Sequence, residues 1–324
     1  MDYSVLAFYV LKQIDRPHRE IDNWKRFLKG KDALGRIYIN EKGINAQMSI
    51  SAKDAPYFYD WFLGDNRYKG TEIKVHRHPE QAFPKLTIKY RPQLVAMDGD
   101  YDLSRGGKHL SSDEWAAMIE ERDDDTVMLD IRNDYEWEVG HFEGTEKPRF
   151  KTFRRFPGYV EELKKTYDPE KTRVMMYCTG GIRCELYSCL VKDRGFEKVY
   201  QLRGGIIQYG LEQGNKHWRG NLFVFDDRLV VPISAGEKAE AIGRCYRCDV
   251  AVDSYYNCAD MDCNRLFIGC KACVEKMNGC CRASCTDARR RRPFQPSDRP
   301  KPFRKLPFEE KVKLQGRSRS DTNG

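Results

Sequence analysis

A short apolar run that ends in a cysteine, two glycines and an arginine leaves little freedom in how this part of the chain folds. The stretch is "TRVMMYCTGGIRCELYSCLVKDRGF", residues 172–196. Residues 172–178 predict a buried strand, and the residues after the glycines carry apolar side chains at helical spacing until Gly195. Cys178 is therefore predicted to lie in a strand-to-helix turn.

A turn of this kind suits a reactive thiol. The N–H groups of residues 179–183 can point over the sulfur, and the helix that follows adds its positive end. Gly180 and Gly181 allow the chain to curl tightly. The candidate catalytic residues are Cys178 and Arg183, and the supporting loop comprises Thr179, Gly180, Gly181, Ile182 and Cys184. A buried cysteine beside an ordinary glycine-rich turn is the alternative that this stretch alone leaves open.

Two neighbouring stretches favour the reactive reading. "VMLDIRNDYEWEVGHFEGT" (127–145) combines a D-x-R strand, a short acidic helix and a G-H turn, and "VYQLRGGIIQY" (199–209) follows the cysteine loop. This order resembles the rhodanese domain, an α/β fold with a parallel sheet, over residues 112–220. The resemblance implies that Cys178 is the catalytic thiol and that the D-x-R strand and the G-H turn are scaffold. The six-residue loop 178–183 has the sulfurtransferase length, whereas the related dual-specificity phosphatases carry one residue more, which disfavours phosphate-ester hydrolysis.

Residues 1–95 form a separate unit. Their pattern predicts strand, helix, two strands around Lys42, helix, strand and an edge strand that Pro92 ends. This is the ferredoxin-like α+β arrangement, which acylphosphatases and many RNA-binding modules share. The glycine-rich anion loop of acylphosphatases is missing from "VLKQIDRPH", so phosphatase activity is not expected. Residues 96–111 are interpreted as a linker.

Basic side chains in this unit suggest a surface that contacts RNA phosphates, although a solvated sheet face explains them equally well. The candidate residues are Lys74, His76, Lys85, Lys89 and Arg91. His76 and His78 have the spacing of an iron-binding pair. We reject that interpretation because they lack an evident carboxylate partner and lie in a different domain from Cys178.

Nine of the 12 cysteines lie in residues 245–285, within a module that we place at 221–288. Without a secretory signal, such density favours metal ligands over disulfides, and redox-active disulfides are the lesser alternative. Pairs of C-x-x-C type typically hold structural zinc through four thiolates. The first predicted site is Cys245, Cys248, Cys270 and Cys273, and the second is Cys258, Cys263, Cys285 and either Cys280 or Cys281.

The net charge of +8 is concentrated at the C-terminus. Residues 286–324 contain 12 Lys and Arg against 5 Asp and Glu, which leaves a net charge of only +1 for the rest of the chain. We interpret residues 289–324 as a disordered, proline-rich tail whose arginines contact RNA, or merely aid solubility. These arginines are Arg289, Arg290, Arg291 and Arg292. The N-terminus becomes polar too soon for a signal peptide and no apolar run spans a membrane, which predicts a cytoplasmic protein without membrane association.

Several stretches together resemble the bacterial rhodanese-domain tRNA uridine hydroxylases over residues 1–285. They are "NEKGIN", "RNDYEWEVGHFEG", "YCTGGIRCE", "FVFDDR" and the "GCC" of the cysteine module. The resemblance implies oxygen-dependent hydroxylation of carbon 5 of the wobble uridine, with molecular oxygen as co-substrate and the tRNA anticodon loop as partner. No organic cofactor is evident. A sulfurtransferase that carries a persulfide on Cys178 needs the same thiol in the same loop, so the residues alone leave it open, together with a less favoured non-enzymatic RNA adaptor.

Overall fold

The computed structural model describes residues 2–95, 97, 99, 101–149, 155–234 and 239–294. The chain divides into two compact units. The first consists of Met1–Asp134, Phe142–His217 and Ile233–Glu237, and the second of Tyr135–His141, Trp218–Pro232 and Lys238–Gly324. The N-terminal domain and the cysteine loop both belong to the first unit, and the cysteine-rich module belongs to the second.

The N-terminal part of the first unit is a five-stranded sheet with two helices. The elements are β1 (Tyr3–Val10), α1 (Pro17–Leu28), β2 (Ala33–Asn40), β3 (Gly43–Ser51), α2 (Ala55–Leu63), β4 (Lys74–His78) and β5 (Leu86–Tyr90). The strand order is β4-β1-β3-β2-β5, in which β5 pairs parallel with β2 and all other pairs are antiparallel. This is the predicted ferredoxin-like arrangement with one added strand.

The sequence periods explain this packing. Helix α1 begins at Pro17, a favoured first position, and buries Ile21, Trp24 and Leu28 at intervals of three and four residues. Strand β2 alternates buried and half-buried residues along its length, as a strand with one face on a core does. The two helices therefore cover one face of the sheet around Trp24, which is fully buried.

The second part of the first unit contains a parallel sheet. The elements in this part of the chain are β6 (Lys108–Leu110), α3 (Ser112–Glu120), β7 (Thr126–Asp130), α4 (Asp134–Trp137), β8 (Gly140–Phe142), α5 (Phe156–Thr166), β9 (Arg173–Tyr177), α6 (Ile182–Asp193), β10 (Lys198–Leu202) and α7 (Gly205–Gln213). Residues Tyr135–His141, within α4 and β8, belong to the second unit. The order is β6-β10-β9-β7, with all pairs parallel. Strand β6 lies inside the segment 96–111 that we interpreted as a linker, because three residues are too few to show a strand period.

The second unit has little regular structure. Its elements are β11 (Trp218–Gly220), which pairs with β8, then β12 (Leu222–Phe223), β13 (Val230–Val231), β14 (Tyr255–Asn257), β15 (Leu266–Ile268) and α8 (Lys271–Lys276). Gly140 must be glycine, because a Cβ there would lie 1.8 Å from the Asn221 carbonyl oxygen. The buried apolar residues of this unit form two separate clusters, one around Val139, Phe223 and Tyr255 and one that combines Phe267 and Val274 with buried cysteines. Among the described residues of the chain, no helix is long and apolar enough to cross a membrane.

Candidate active site and cysteine clusters

Cys178 lies where the sequence predicts it, between the end of β9 at Tyr177 and the start of α6 at Ile182. Its side chain is fully buried. The backbone N–H of Gly181 donates to its Sγ over 3.1 Å. Gly181 has φ +96°, a left-handed conformation that favours glycine, so the second glycine of the loop is what lets this N–H face the sulfur.

The surroundings of Cys178 favour the thiolate. Burial by itself raises the pKa of the thiol, but hydrogen bonding from Cys184, the positive charge of Arg183 and the N–H groups at the start of α6 outweigh it. The result is a pKa lowered to about 5. At neutral pH the site therefore holds a nucleophilic sulfur anion rather than a neutral thiol.

Arg183 and Cys184 have different relations to that anion. The Arg183 guanidinium, at the end of the loop, donates to Thr179 Oγ1, near its beginning, over 3.3 Å. Burial and the adjacent Cys178 sulfur raise the pKa of Cys184 well above its ordinary value, so this thiol keeps its proton. A thiol that stays protonated is a hydrogen-bond donor, and the Cys184 Sγ has the Met176 carbonyl at 3.7 Å besides the Cys178 sulfur as acceptor. The supporting role of Cys184 remains our prediction.

The start of α7 closes the loop from another side. The N–H of Ile206 donates to the Cys178 carbonyl over 3.0 Å and that of Ile207 to the Thr179 carbonyl over 3.1 Å. Gly205 makes this approach possible, since a Cβ there would lie 2.5 Å from the Cys178 carbonyl oxygen. The "RGG" after β10 contributes to the family resemblance of the sequence, and the structure shows that it packs against the cysteine loop.

Two residues of the N-terminal domain reach the cysteine loop. Lys74, on β4, is only 3% exposed, and its Nζ donates to the Gly180 carbonyl over 3.2 Å. The Tyr9 hydroxyl, on the neighbouring strand β1, donates to Glu185 Oε1 over 2.7 Å. Lys74 therefore does not lie on the RNA-contacting surface for which we proposed it, because the fold buries this end of β4 against the loop.

Glu185, in the first turn of α6, collects further polar contacts. His109 Nε2 lies 3.1 Å from Oε1, and Gln201 Nε2 lies 3.5 Å from Oε2. Burial raises the pKa of this carboxyl group, but the hydrogen bonds from His109 and Tyr9 outweigh burial. The net effect is a lowered pKa, so Glu185 is ionised. Sequence reasoning missed Tyr9, His109 and Glu185, because no local pattern links residues that are 176 and 76 positions apart.

The D-x-R strand is buried scaffold. Asp130 and Arg132 are both 0% exposed and form an ion pair over 2.6 Å. The Tyr177 hydroxyl donates to the same carboxylate over 2.7 Å. This group ties the end of β7 to the residue before Cys178, which positions the cysteine loop without touching the sulfur.

The remaining basic residues proposed for RNA contact do not form one surface. Lys85 lies just before β5, Lys89 lies within it and Arg91 just after it, and all three are exposed. His76 lies on β4, at the opposite edge of the five-stranded sheet, which at the usual strand spacing is roughly 19 Å away. Lys89 and Arg91 both lie over the ring of Tyr38, 5.8 Å and 5.0 Å from its centroid.

Eight cysteines of the second unit form two clusters that could hold metal ions. They are Cys245, Cys248, Cys270 and Cys273, and Cys258, Cys263, Cys281 and Cys285, with all ligand atoms of a cluster within 4.8 Å of one another. Sulfurs in a tetrahedral zinc site are about 3.8 Å apart. The Cys248–Cys270 and Cys263–Cys281 sulfur pairs lie at 3.7 and 3.6 Å, which fits such a site.

Only one of the two adjacent cysteines, Cys280 and Cys281, lies within a cluster of the described residues. Cys281 belongs to the second cluster, whereas Cys280 is fully buried beside it and its thiol donates to the Cys285 carbonyl over 3.3 Å. Adjacent residues point in different directions, so spacing alone does not distinguish them. Cys280 is therefore not placed as a ligand.

The four consecutive arginines are not all free for RNA. Arg292 is only 9% exposed and donates to the Cys258 carbonyl over 2.9 Å. Arg291 donates to the Thr286 carbonyl, and Arg290 pairs with Asp262 over 2.8 Å. Arg289 and Arg290 are exposed. These contacts tie residues 290–292 to the segment 258–262. Of the tail predicted at 289–324, residues 295–324 lie outside the described residues.

Comparison with known families defines the class of protein. The UPF0176 acylphosphatase like domain matches residues 3–94, the Rhodanese-like domain matches 111–211 and the Rhodanase C-terminal model matches 219–286. The chain is therefore a rhodanese-domain protein with an acylphosphatase-like domain before the rhodanese domain and a cysteine-rich module after it.

Curated relatives narrow the class to one family. A protein of Protochlamydia amoebophila is 50% identical over 303 residues, which cover 94% of both chains. One of Chlamydia abortus is 48% identical over 94% of this chain and 93% of its own, and one of Chlamydia trachomatis serovar D is 46% identical over the same shares. All three are named tRNA uridine(34) hydroxylase. This chain belongs to that family, which confirms the predicted resemblance and favours uridine hydroxylation over sulfur transfer.

Proposed function

We propose that this protein hydroxylates carbon 5 of uridine 34 in tRNA by covalent catalysis from Cys178. The observation that carries the proposal is the position of this buried thiol before α6, where the Gly181 N–H donates to its Sγ over 3.1 Å and the surroundings lower its pKa. Family membership supplies the substrate and the reaction class. The cysteine supplies a nucleophile at neutral pH, which a uracil ring can accept at carbon 6.

The chemistry proceeds in three steps. The Cys178 thiolate adds to carbon 6, and the electron pair of the 5,6 double bond moves onto carbon 5 and the adjacent carbonyl. Carbon 5 then takes up one oxygen atom derived from molecular oxygen. Loss of the carbon 5 proton and departure of the thiolate restore the double bond. The second oxygen atom leaves as water, which requires two electrons from an external reductant.

The burial of Cys178 determines how the base must enter. Since the sulfur is fully buried, the uracil has to leave the anticodon stack and displace part of what covers the loop. Extruding a base from a loop costs only a few kcal/mol because it is already partly unstacked. Arg183, at the start of α6, is placed to stabilise the thiolate, and its guanidinium can also contact a substrate phosphate.

A cellular experiment tests the proposed reaction. Nucleosides of tRNA from cells that lack the gene should contain no 5-hydroxyuridine or its derivatives, and the wild-type gene should restore them. A gene encoding Cys178→Ser should not. Loss of thiolated nucleosides instead, with hydroxyuridine unchanged, would contradict the proposal and favour persulfide transfer.

We further propose that each cysteine cluster holds one structural zinc ion. The thiolates have the number, type and spacing that zinc prefers, and the apolar residues of the second unit are divided between two clusters that such ions would reinforce. Bound zinc would cross-link the loops around β14, β15 and α8. No step of the hydroxylation passes through it.

Contact with tRNA is proposed for the exposed basic residues. The β5 edge combines Lys85, Lys89 and Arg91 with the Tyr38 ring, a mixture of charge and aromatic surface that suits RNA. Arg289, Arg290 and the basic residues after 294 would add charge that attracts phosphates without reading sequence. We also propose that the protein resides in the cytoplasm, where tRNA is used.

The tail contribution can be measured by deletion. Removing residues 295–324 should lower tRNA affinity and make the logarithm of affinity depend less steeply on the logarithm of salt concentration, by about 1–3 units of slope. Turnover at saturating tRNA should persist, because Cys178 is untouched. An unchanged slope would show that the tail does not contact RNA.

A further inference from the structure

The peptide that joins Gly180 to Gly181 makes a hydrogen bond on each side. Its N–H, from Gly181, donates to the Cys178 Sγ over 3.1 Å. Its carbonyl, from Gly180, accepts from the Lys74 Nζ over 3.2 Å. The described residues contain no cis peptide bond, so this N–H and this carbonyl point in opposite directions. Lys74 and the Cys178 sulfur therefore lie at opposite edges of the same peptide group.

That peptide needs an orienting contact. Both flanking residues are glycines, which have the widest choice of backbone conformations, and Gly181 is in the left-handed region at φ +96°. If the plane turned over, the Gly180 carbonyl oxygen would face the sulfur and repel a thiolate. A cation bound to the carbonyl favours the orientation in which the N–H faces the sulfur.

Lys74 is an unusual residue to bury unless its charge has a function. It is 3% exposed, and burying an ammonium group is costly unless it is paired. Its nearest charged partner, Glu72, is 3.9 Å away and 46% exposed. The Tyr9 ring lies 5.2 Å from Nζ. Burial lowers the pKa of Lys74, whereas Glu72, Cys178 and Glu185 raise it, so the thiolate itself helps to keep the lysine charged.

We propose that Lys74 is a positioning residue that orients the peptide between Gly180 and Gly181 for the Cys178 thiolate. The lysine polarises the carbonyl, which strengthens the N–H···S bond on the other side of the same peptide. This inference rests on the proposed role of Cys178 and gives the N-terminal domain a part in the reaction besides RNA contact.

The test measures the Cys178 thiolate directly. Trypsin releases residues 174–183 as a peptide whose only cysteine is Cys178, so its alkylation by iodoacetamide can be followed by mass spectrometry in the intact twelve-cysteine protein. We expect Lys74→Met to move the midpoint of the pH dependence of this alkylation upward by about one pH unit. Lys69→Met removes the same charge from an exposed position five residues earlier and should leave the midpoint unchanged.

Steady-state kinetics separate positioning from RNA contact. Lys74→Met should lower kcat and leave the KM for tRNA unchanged, because the lysine acts through the loop. An unchanged midpoint in folded Lys74→Met, or a raised KM with kcat intact, would overturn the proposal. If circular dichroism shows that this variant does not fold, Lys74→Gln, which keeps a donor without the charge, is judged by the same criteria.

The alkylation readout does not depend on hydroxylation. If Cys178→Ser retained activity, the proposed mechanism would fail while a shifted midpoint in Lys74→Met would still establish that the lysine controls this thiol. If Cys178→Ser is inactive and the midpoint in Lys74→Met is unchanged, only the inference about Lys74 fails.

Discussion

The thiols of the two units differ in what surrounds them. Cys178 is a single sulfur that faces backbone N–H groups and a guanidinium, which hold its pKa at about 5. The eight clustered cysteines of the second unit also accept from N–H groups, as Cys258 does from the Cys281 N–H over 3.3 Å, but the four sulfurs of each cluster lie within 4.8 Å of one another. The first arrangement stabilises one anion on its own. The second suits a cation that brings four sulfurs together, which is why we propose zinc there.

Removing the single sulfur should have the largest effect. Cys178→Ser keeps nearly the same volume but loses the nucleophile, so we expect hydroxylation of tRNA to fall about 10³-fold or more with the fold retained. The matched control is Cys189→Ser, which changes another buried thiol on α6 and should stay within a few-fold of wild type. Substantial turnover by Cys178→Ser would contradict the difference drawn between the two kinds of thiol, because Cys178 would then not be the nucleophile.

Removing one clustered sulfur should remove one ion. Metal analysis should find close to two zinc ions per chain in the wild type and about one in Cys281→Ala, with loss of several kcal/mol of stability in the second unit. Cys280→Ala, at the adjacent buried position outside the cluster, should retain both ions. Equal zinc content in the two variants would show that the cluster assignment is wrong.

The donor thiol next to Cys178 allows a finer test. In the wild type the thiolate forms above a pH of about 5, so alkylation of Cys178 should rise with pH around that value and level off well before neutral pH. Cys184→Ala removes one hydrogen-bond donor to the anion, and we expect the midpoint to rise by about one pH unit. A midpoint that stays near 5 would show that the N–H groups and Arg183 are sufficient to stabilise the Cys178 thiolate. Cys184 would then be a packing residue only.

The local features of these two thiol environments can be predicted from the sequence, but their long-range contacts cannot. The strand, loop and helix around Cys178 follow from local periods and glycines, and interleaved cysteine spacing is enough to predict two clusters. The contact of Lys74 with the cysteine loop and that of Glu185 with Tyr9 are not predictable locally, because the partners lie 106 and 176 positions apart and only the tertiary fold brings them together. The choice of Cys281 over Cys280 likewise depends on backbone direction, which spacing does not encode.

The interrupted course of the chain has a consequence for synthesis on the ribosome. Residues Tyr135–His141 belong to the second unit, and the Tyr135 carbonyl accepts from the hydroxyl of Tyr255, 120 positions later. At roughly 5–20 residues per second, this segment waits on the order of ten seconds for its partner. The buried Val139 is exposed during that interval. Truncation after residue 217 makes the exposure permanent, so the rhodanese segment produced alone should aggregate more readily than the whole chain.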